Sequence, residues 1–293
     1  MRQINRALVF ILFISYSCFS QVDFNKIIIK KNISQQWELD SIDKKGTFRL
    51  VSYRPIYFSA ARWSSKRNTE PFNEGGEFTS KGNIFNNIEA KFQISFKSKL
   101  IQGILYGKCD LWVGYSQKAH WQVYNKKLSR AFRELNYEPE IIFNVPLKVN
   151  LFNGKIRTFS VILNHQSNGK DIPTSRSWNR IIFNIGYESK DWNVNFRPWY
   201  RLPDSEDENP DITKFIGDGE LEVGTAFGKH ELYTIMSHSF TTFQKGNIQL
   251  NYVFPIHGHL RGHAQLFQGY GETLIDYNVS QTTIGIGVSF ANW

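Results

Sequence analysis

The residues of this chain that could do chemistry together form a short motif, Asn164-His165-Gln166-Ser167-Asn168-Gly169, at the end of an apolar run. A serine attacks an acyl carbon only when a base accepts its proton, and that base needs an acceptor that orients it. His165 stands two residues before Ser167, and Asn179 follows twelve residues after it. We therefore predict that Ser167 is a nucleophile, His165 its general base and Asn179 the orienting residue.

The pair of His165 and Ser167 is weak evidence by itself, because such a spacing recurs by chance on strands. The sequence contains no G-x-S-x-G elbow and no H-E-x-x-H helix, so it lacks the signatures of those two hydrolase classes. The elements around the motif must therefore show whether these side chains meet and where they point.

The first twenty residues predict a secretory signal peptide. Two arginines precede an apolar run over residues 7–14, and small residues over 17–20 suit cleavage before Gln21. An uncleaved anchor is one alternative, and a lipoprotein cysteine at Cys18 is another, although the residues before Cys18 form a poor lipobox. We expect residues 21–48 to be an N-terminal extension and residues 49–293 to be one β domain.

The charge of the chain favours a membrane surface over nucleic acid. The formal net charge is +9, and removing the two arginines of the signal leaves 9 − 2 = +7, which suits anionic lipid head groups. We expect no nucleic-acid partner, because an exported protein rarely meets one. After cleavage only Cys109 remains, so no internal disulfide supports the fold.

The mature sequence alternates apolar and polar residues in short runs and has no stretch of eighteen apolar residues. A membrane protein of this kind has to be a closed barrel. We predict an all-β fold, a transmembrane antiparallel β-barrel of about twelve strands, with a long loop over 66–84. The predicted strands cover 50–58, 87–97, 102–116, 137–148, 156–167, 177–188, 191–202, 215–226, 231–240, 246–254, 258–270 and 280–291.

Aromatic residues make up 15% of the chain, and many stand near the ends of the predicted strands. Membrane barrels place aromatic girdles at both interfaces, whereas core aromatics of a soluble β-sandwich are the alternative. An apolar face that alternates from Ile284 to Phe290, followed by a terminal Trp293, is typical of a last outer-membrane strand. The girdle prediction concerns Trp112, Trp121, Trp178, Trp192, Trp199 and Tyr200.

The parity of strand side chains predicts where the motif points. Successive side chains of a strand face opposite sides, so Leu163, His165 and Ser167 share one mainly apolar face. On the next strand Asn179 likewise falls on the apolar side, and each strand has one exception, Ile162 or Ile182. Because the apolar side of a barrel meets lipid, the three predicted catalytic residues should face lipid and the two strands should pair as a hairpin.

An asparagine in the third position suits this location. Its amide oxygen fixes the histidine tautomer without a formal charge, whereas a carboxylate on a lipid-facing wall is costly. His257, His259 and His263 could suggest a metal site, but we interpret them as polar groups that face the lumen.

From these residues the chain resembles the outer membrane phospholipase A family of Gram-negative bacteria. The resemblance extends from about Tyr53 to the C-terminus. It is carried by Gln117-Lys118, Trp121-Gln122, Phe132-Arg-Glu134, Asn136-Tyr-Glu-Pro139, Asn164 to Gly169, Ser175-Arg-Ser-Trp-Asn-Arg180, Pro198-Trp-Tyr200, Asn209-Pro-Asp-Ile-Thr-Lys214 and Gly269 to Asn278.

The resemblance implies a twelve-stranded barrel in the bacterial outer membrane. It also implies a calcium-dependent enzyme, active as a homodimer, that hydrolyses acyl esters of phospholipids and lysophospholipids at either sn position (A1 and A2 type). Ser167, His165 and Asn179 would be its catalytic residues, and the Ser167 backbone N–H together with a calcium-bound water would hold the oxyanion.

The resemblance implies calcium ligands at a dimer interface. They are the Ser175 hydroxyl and the Lys170 carbonyl, with the Ser129 carbonyl contributed by the partner subunit. The family usually has arginine where Lys170 stands, but a carbonyl ligand survives that change. Gln117 corresponds to a polar residue that meets its counterpart across the interface, and its alternative role is that of a plain strand residue. Glu208, in an acidic loop, corresponds to a second calcium position. The alternative is that this loop is only a solvated acidic segment.

Two other functions remain open from the sequence. The first is a non-catalytic outer-membrane barrel that serves as a pore or scaffold. The second is a soluble secreted β-sandwich esterase. Detergent dependence separates the sandwich from the barrel, and a phospholipid assay separates the enzyme from the inert barrel.

Overall fold

The computed structural model describes residues 32–66, 85–239 and 245–290. The predicted signal peptide, Trp293 and nearly all of the predicted loop 66–84 lie outside the described residues. Within them the chain is mostly strand, with two short helices, α1 (Ile33–Trp37) and α2 (Ile212–Ile216), a 3-10 turn at Ser41–Asp43 and a tight turn at Ile104–Gly107. No helix in the described part of the chain is both long enough and apolar enough to cross a membrane.

The strands are β1 (Leu50–Ser52), β2 (Tyr57–Ser64), β3 (Ile88–Gly103), β4 (Cys109–Trp121), β5 (Glu134–Leu151), β6 (Gly154–Ser167), β7 (Ser177–Ser189), β8 (Trp192–Arg201), β9 (Gly219–Phe227), β10 (His230–His238), β11 (Gly246–His257), β12 (Leu260–Gly269) and β13 (Gln281–Ser289).

The described strands form one closed antiparallel sheet. Each strand from β2 onward pairs with the next one along the chain, and β13 pairs with β2, so the sheet has no open edge. Because β1 continues the position of β2 along β3, the barrel has twelve strand positions. The predicted barrel of about twelve strands is therefore confirmed.

Several predicted strands differ from the structure in their extent. The strand predicted over 215–226 begins only at Gly219, because α2 ends at Ile216, and the one predicted over 87–97 continues to Gly103. Two further differences involve breaks or turns. The predicted strand over 50–58 is broken between β1 and β2, at a point where Pro55 has no N–H to donate to a ladder. The strand predicted over 102–116 begins only at Cys109, because the turn at Ile104–Gly107 precedes it. Both differences arise from local chain reversals that periodicity alone does not reveal.

The two faces of the sheet differ in chemistry as the parity argument predicts. On β3, Lys91, Ser95 and Lys97 are buried on the lumen side, whereas Ile94 is exposed on the outer side. On β7, Asn184 is buried on the lumen side next to outward-facing apolar residues. The outer wall is apolar and the lumen is filled with polar side chains, which is the arrangement of a membrane barrel.

The aromatic and histidine predictions hold only in part. Trp192 and Tyr200 are exposed at the ends of β8 and suit a girdle, but Trp112 and Trp178 are buried in the lumen, because parity turns their side chains inward. His263 also lies in the lumen, with its ring 4.5 Å from the Tyr57 ring. His257 ends β11 and His259 lies in the turn that follows, and both are exposed rather than lumenal.

The strands connect through short turns at one end of the barrel, the turn end, and through longer segments at the other, the loop end. At the turn end, residues 32–40 fold into the lumen, and residues 41–48 continue from them with mostly exposed side chains. Asn32 caps α1 by accepting the Gln35 N–H at 2.8 Å. Ile33 and Trp37 of α1 then pack on Trp112 and on the lumen-facing isoleucines of β5, β6 and β7, Ile142, Ile162 and Ile182.

This packing explains the two exceptions in the polar face. Ile162 and Ile182 are apolar residues on the lumen side because they contact α1, which covers them from within the barrel. The ammonium of Lys97 lies 3.1 Å from the centre of the Trp37 ring and 5.0 Å from that of Trp112. The electron-rich faces of these two rings stabilise the ammonium.

Polar contacts fasten the same N-terminal segment to the barrel wall. The Ser34 N–H and hydroxyl both donate to the Glu188 carboxylate, at 2.8 and 3.0 Å. The Lys99 ammonium lies 2.8 Å from Glu38, and the Arg157 guanidinium lies 2.5 Å from Asp40. Residues 33–39 of the predicted N-terminal extension are thus part of the barrel interior.

At the loop end, residues 270–280 fold back into the mouth of the barrel. Glu272 forms ion pairs with Arg62 and Lys91 below the mouth. Asp276 lies 3.0 Å from Arg133; burial alone would raise the pKa of Asp276, but the Arg133 guanidinium holds it below its ordinary value. This segment, which we call the mouth segment, therefore closes the end of the barrel opposite α1.

We predict that the packing of α1 stabilises the whole barrel. Replacing the buried Trp37 by alanine should lower the free energy of unfolding by about 3–5 kcal/mol, because it leaves a cavity and removes the aromatic face above Lys97. The matched control is Phe48→Ala at an exposed residue of the same segment, which should change stability by only about 0.5 kcal/mol. Urea unfolding of refolded protein, followed by far-UV circular dichroism, measures both; equal effects would contradict this role.

Candidate active site

The predicted catalytic residues lie on the hairpin of β6 and β7. The two strands pair in a register that places His165 opposite Asn179 and Ser167 opposite Ser177. Ser167 and His165 share a face because they are two residues apart on one strand. The site thus lies at the loop end, where β6 ends and β7 begins.

His165 and Asn179 form the central contact of this site. His165 Nδ1 lies 2.8 Å from Asn179 Oδ1. The amide oxygen can only accept a hydrogen bond, so Nδ1 carries the proton and Nε2 is left as the basic nitrogen. His165 is exposed, and the buried neighbours Asn164 and Arg180 occupy the lumen side of the same two strands. The histidine therefore points out of the barrel.

Ser167 lies beside this pair and is partly exposed. Among the described residues no hydrogen bond joins its hydroxyl to His165. Its other cross-strand neighbour is Tyr137 on β5. The structure places all three predicted catalytic residues on one outward face, next to exposed apolar side chains such as Leu163.

The segment 168–176 connects β6 to β7 and is held in place by Asn168. This residue belongs to the motif, but the sequence analysis gave it no role. Asn168 is buried, its amide nitrogen donates to the Thr174 carbonyl at 2.8 Å, and its Oδ1 accepts the Arg176 N–H at 2.9 Å. Gly169 follows with φ +62°, and a Cβ there would lie 2.9 Å from the Tyr137 ring. A side-chain amide at a loop start is the sequence signal for such a clamp.

Two of the predicted calcium ligands, Lys170 and Ser175, lie in this clamped segment. The Ser175 N–H donates to the Asp171 carbonyl at 2.9 Å. Next to it, burial lowers the pKa of the Arg176 guanidinium, and the charge of Glu208 opposes this shift. The segment thus carries a hydroxyl and backbone carbonyls close to the catalytic hairpin.

The other two predicted ligands come from different segments. Ser129 lies between β4 and β5, and its carbonyl accepts the Trp121 indole N–H at 2.8 Å. Glu208 lies between β8 and β9, and its carboxylate accepts the Ser177 hydroxyl at 3.2 Å. Asn209 accepts the Ser177 N–H at 3.1 Å, so the 202–218 segment lies directly against the start of β7.

The described residues contain no group of three His, Cys, Asp or Glu side chains that could hold a metal ion. This excludes a carboxylate-rich or zinc-like cluster from that part of the chain. It is compatible with Ca²⁺ bound through hydroxyl and carbonyl oxygens, since calcium accepts neutral oxygen donors. Ser175 and Lys170 supply donors of that kind.

A buried polar layer supports the catalytic hairpin from the lumen. The Arg180 guanidinium donates to Asn164 Oδ1 at 2.7 Å and lies 3.1 Å from Glu138, and its centre lies 3.9 Å from that of the Trp178 ring. Arg180 and Asn164 are direct cross-strand partners next to the pair of His165 and Asn179. Parity identified these residues as lumenal, but it did not identify their partners on other strands.

Comparison with known proteins decides the family. The model of the phospholipase A1 family matches residues 33–290. The chain belongs to the phospholipase A1 family. It is 40% identical over 248 residues to phospholipase A1 of Klebsiella pneumoniae, with 84% of each chain covered. It is 39% identical over 200 residues to that of Escherichia coli strain K12, with 68% of each chain covered.

Solved structures of outer membrane phospholipases have the same fold as this chain. A calcium-bound dimer of outer membrane phospholipase from Salmonella typhi superposes with a TM-score of 0.77 at 34% identity, covering 85% of this chain and 94% of that one. The Escherichia coli outer membrane phospholipase A gives 0.76 at 35% identity, covering 84% and 99%. This phospholipase A1 family member is therefore an outer-membrane phospholipase built on a twelve-stranded barrel.

We predict that Asn179→Ala lowers the turnover number by roughly 10- to 100-fold. A hydrogen bond to a group that becomes charged is worth about 1.5–3 kcal/mol. Without it, the His165 ring is no longer held with its proton on Nδ1. Initial rates of fatty-acid release from phospholipid in detergent micelles measure this. Ser177→Ala is the matched control on the same strand and should retain most of the activity, whereas wild-type turnover by Asn179→Ala would contradict the orienting role.

Proposed function

We propose that this chain is a calcium-dependent outer-membrane phospholipase that hydrolyses acyl esters of phospholipids and lysophospholipids at either sn position, with Ser167 as nucleophile. The observation that carries the proposal is the 2.8 Å contact between His165 and Asn179 beside Ser167, on the outward face of a membrane barrel. A solved asparagine-to-alanine active-site mutant of the Escherichia coli protein supports an asparagine in this role.

The location of the site determines its substrate class. An outward-facing catalytic set at the end of the apolar wall lies next to the ester bonds of membrane lipids, near their head groups. A catalytic set inside the lumen would not contact these bonds. In membrane barrels the longer connections face outward from the cell. The proposed site is therefore in the outer leaflet half of the barrel wall.

Hydrolysis would proceed in two acyl-transfer steps. His165 Nε2 takes the proton of Ser167 Oγ as that oxygen bonds to the acyl carbon, and the Asn179 oxygen orients the imidazolium through Nδ1–H. The oxyanion is held by the Ser167 backbone N–H. His165 then returns the proton to the glycerol oxygen as the ester bond breaks. Water then bonds to the acyl carbon as His165 Nε2 takes its proton, and His165 returns that proton to Ser167 Oγ as the fatty acid leaves.

The residues that would hold calcium are the Ser175 hydroxyl and the Lys170 carbonyl, with the Ser129 carbonyl of the partner subunit completing the site. Bound calcium supplies positive charge that stabilises an oxyanion. The solved Salmonella typhi dimer with bound calcium supports this part of the proposal. Because no carboxylate is among these ligands, we expect modest affinity.

The proposal includes Glu208 as a ligand of a second calcium ion near the same hairpin. Its support is the position of the carboxylate 3.2 Å from Ser177 Oγ, at the start of β7. A carboxylate is a good calcium ligand, and binding an ion here would compete with the hydrogen bond that Ser177 now donates.

A homodimer would complete the active enzyme. Gln117 lies on the outer wall of β4, opposite Ile94 of β3, and accepts the Tyr115 hydroxyl at 2.9 Å. Its amide N–H groups need an acceptor on a wall that otherwise meets lipid, and Gln117 of a second copy supplies one.

We also propose the domain boundaries that the sequence predicts: a signal over 1–20, an extension over 21–48 and the barrel over 49–293.

We predict that Ser167→Ala abolishes hydrolysis without unfolding the barrel, because it removes only the nucleophilic oxygen. Fatty-acid release by detergent-refolded protein should require calcium and stop with a chelator. Retained heat-modifiable migration of the variant on gels is the folding control. Hydrolysis by Ser167→Ala would remove the assigned nucleophile, and a folded wild-type barrel without activity would favour a pore or scaffold.

We also predict that activity rises with dimerisation, since the proposed calcium ligands come from two chains. Diluting the enzyme with excess detergent should lower the specific activity in step with the dimer fraction measured by analytical ultracentrifugation. Gln117→Leu should shift both curves to higher protein concentration. A fully active monomer would contradict the shared site.

A further inference from the structure

The side chain of Lys170 reaches from the 168–176 segment to the start of β5. Its ammonium lies 2.7 Å from Glu134 Oε2 and donates to the Arg133 carbonyl at 2.7 Å. Glu134 is the first residue of β5 and has 0% of its surface exposed. The lysine therefore bridges the 168–176 segment to the mouth of the barrel.

This contact matters because Lys170 supplies a proposed calcium ligand from its backbone while its side chain carries a positive charge. An ammonium close to a divalent cation repels it, and this repulsion is stronger near a protein surface than in bulk water. A lysine next to a calcium ligand position therefore weakens ion binding unless its charge is neutralised or held away.

The surroundings of Glu134 fix the carboxylate that does this. Its Oε1 accepts the Asn136 amide N–H at 3.0 Å and the Ile275 backbone N–H at 3.2 Å, so the mouth segment helps to hold it. Asn136 in turn accepts the Leu274 N–H at 3.1 Å. A carboxylate with this many fixed donors cannot swing toward solvent with the lysine.

We propose that Glu134 is a positioning residue for calcium, because it holds and neutralises the Lys170 ammonium so that the ion meets only the oxygen ligands of the 168–176 segment. This inference rests on the calcium-dependent function proposed above. It assigns a role in cofactor binding to a buried residue that touches neither calcium nor substrate.

The proposal predicts an unusual pattern among three variants. Glu134→Gln keeps the shape of the side chain but removes the negative charge next to the ammonium, so it should raise the half-saturating calcium concentration about tenfold or more. Lys170→Met removes the ammonium and should bind calcium within about threefold of the wild type. The double variant should match Lys170→Met, so the second substitution rescues the first.

Calcium binding is measured directly, by calorimetry in the Ser167→Ala background, and again through the calcium dependence of hydrolysis with Ser167 present. The maximal rate of Glu134→Gln at saturating calcium should stay within about twofold of the wild type. Its calcium defect should shrink as salt is added, because screening weakens charge repulsion.

The matched control is Glu231→Gln, which removes the charge of another buried glutamate, paired with Arg261 near the turn end. It should leave the half-saturating calcium concentration unchanged. An equal calcium defect in Glu231→Gln and Glu134→Gln, or no defect in Glu134→Gln, would overturn the proposal. If Glu134→Gln does not refold, Lys170→Met decides: a tenfold loss of calcium affinity in that variant rejects it.

The outcomes also separate this inference from the function on which it rests. A folded wild type that binds no calcium overturns both the calcium-dependent function and the role of Glu134. A wild type that is calcium-dependent, with a Glu134→Gln variant of equal affinity, leaves the function standing and rejects only the positioning role.

Discussion

Every backbone N–H and C=O group that crosses a bilayer needs a partner within the protein, and the rest of this structure follows from that requirement. The closed pairing of β2 through β13 satisfies it. Closure also forces successive side chains to alternate between lipid and lumen. The lipid-facing catalytic residues and the charged lumen behind them are therefore two sides of the same strands.

Polar side chains line the lumen around a cavity, and different interactions hold the segments at its two ends. At the turn end α1 buries Ile33 and Trp37 against an apolar layer and encloses the Lys97 ammonium. At the loop end the mouth segment is held mainly by ion pairs such as that of Glu272 with Lys91. Ion pairs and hydrogen bonds make these buried charges tolerable, and the network fixes the strands that carry the site.

The site itself reflects the apolar wall on which it lies. Asn179 orients His165 through a neutral amide oxygen, which avoids the cost of a carboxylate facing lipid. The charges near the site lie instead on the lumen side or in the connecting segments, as for the Lys170 and Glu134 pair. A neutral outer surface backed by a charged interior is the arrangement that lets a hydrolytic set face a membrane.

The sequence by itself determined the barrel class, the strand number and the face on which Ser167, His165 and Asn179 lie. The alternation of side chains along a strand has a period of two residues, so it can be read from consecutive residues without knowing which strands are neighbours. It also predicted that the strands of His165 and Asn179 pair as a hairpin, whereas the register that puts the two residues opposite each other was read from the structure. Only the tertiary structure decided why Ile162 and Ile182 are apolar and that Lys170 meets Glu134. Those contacts join residues far apart in the chain, and no periodicity encodes which side chains a closed barrel brings together across its lumen.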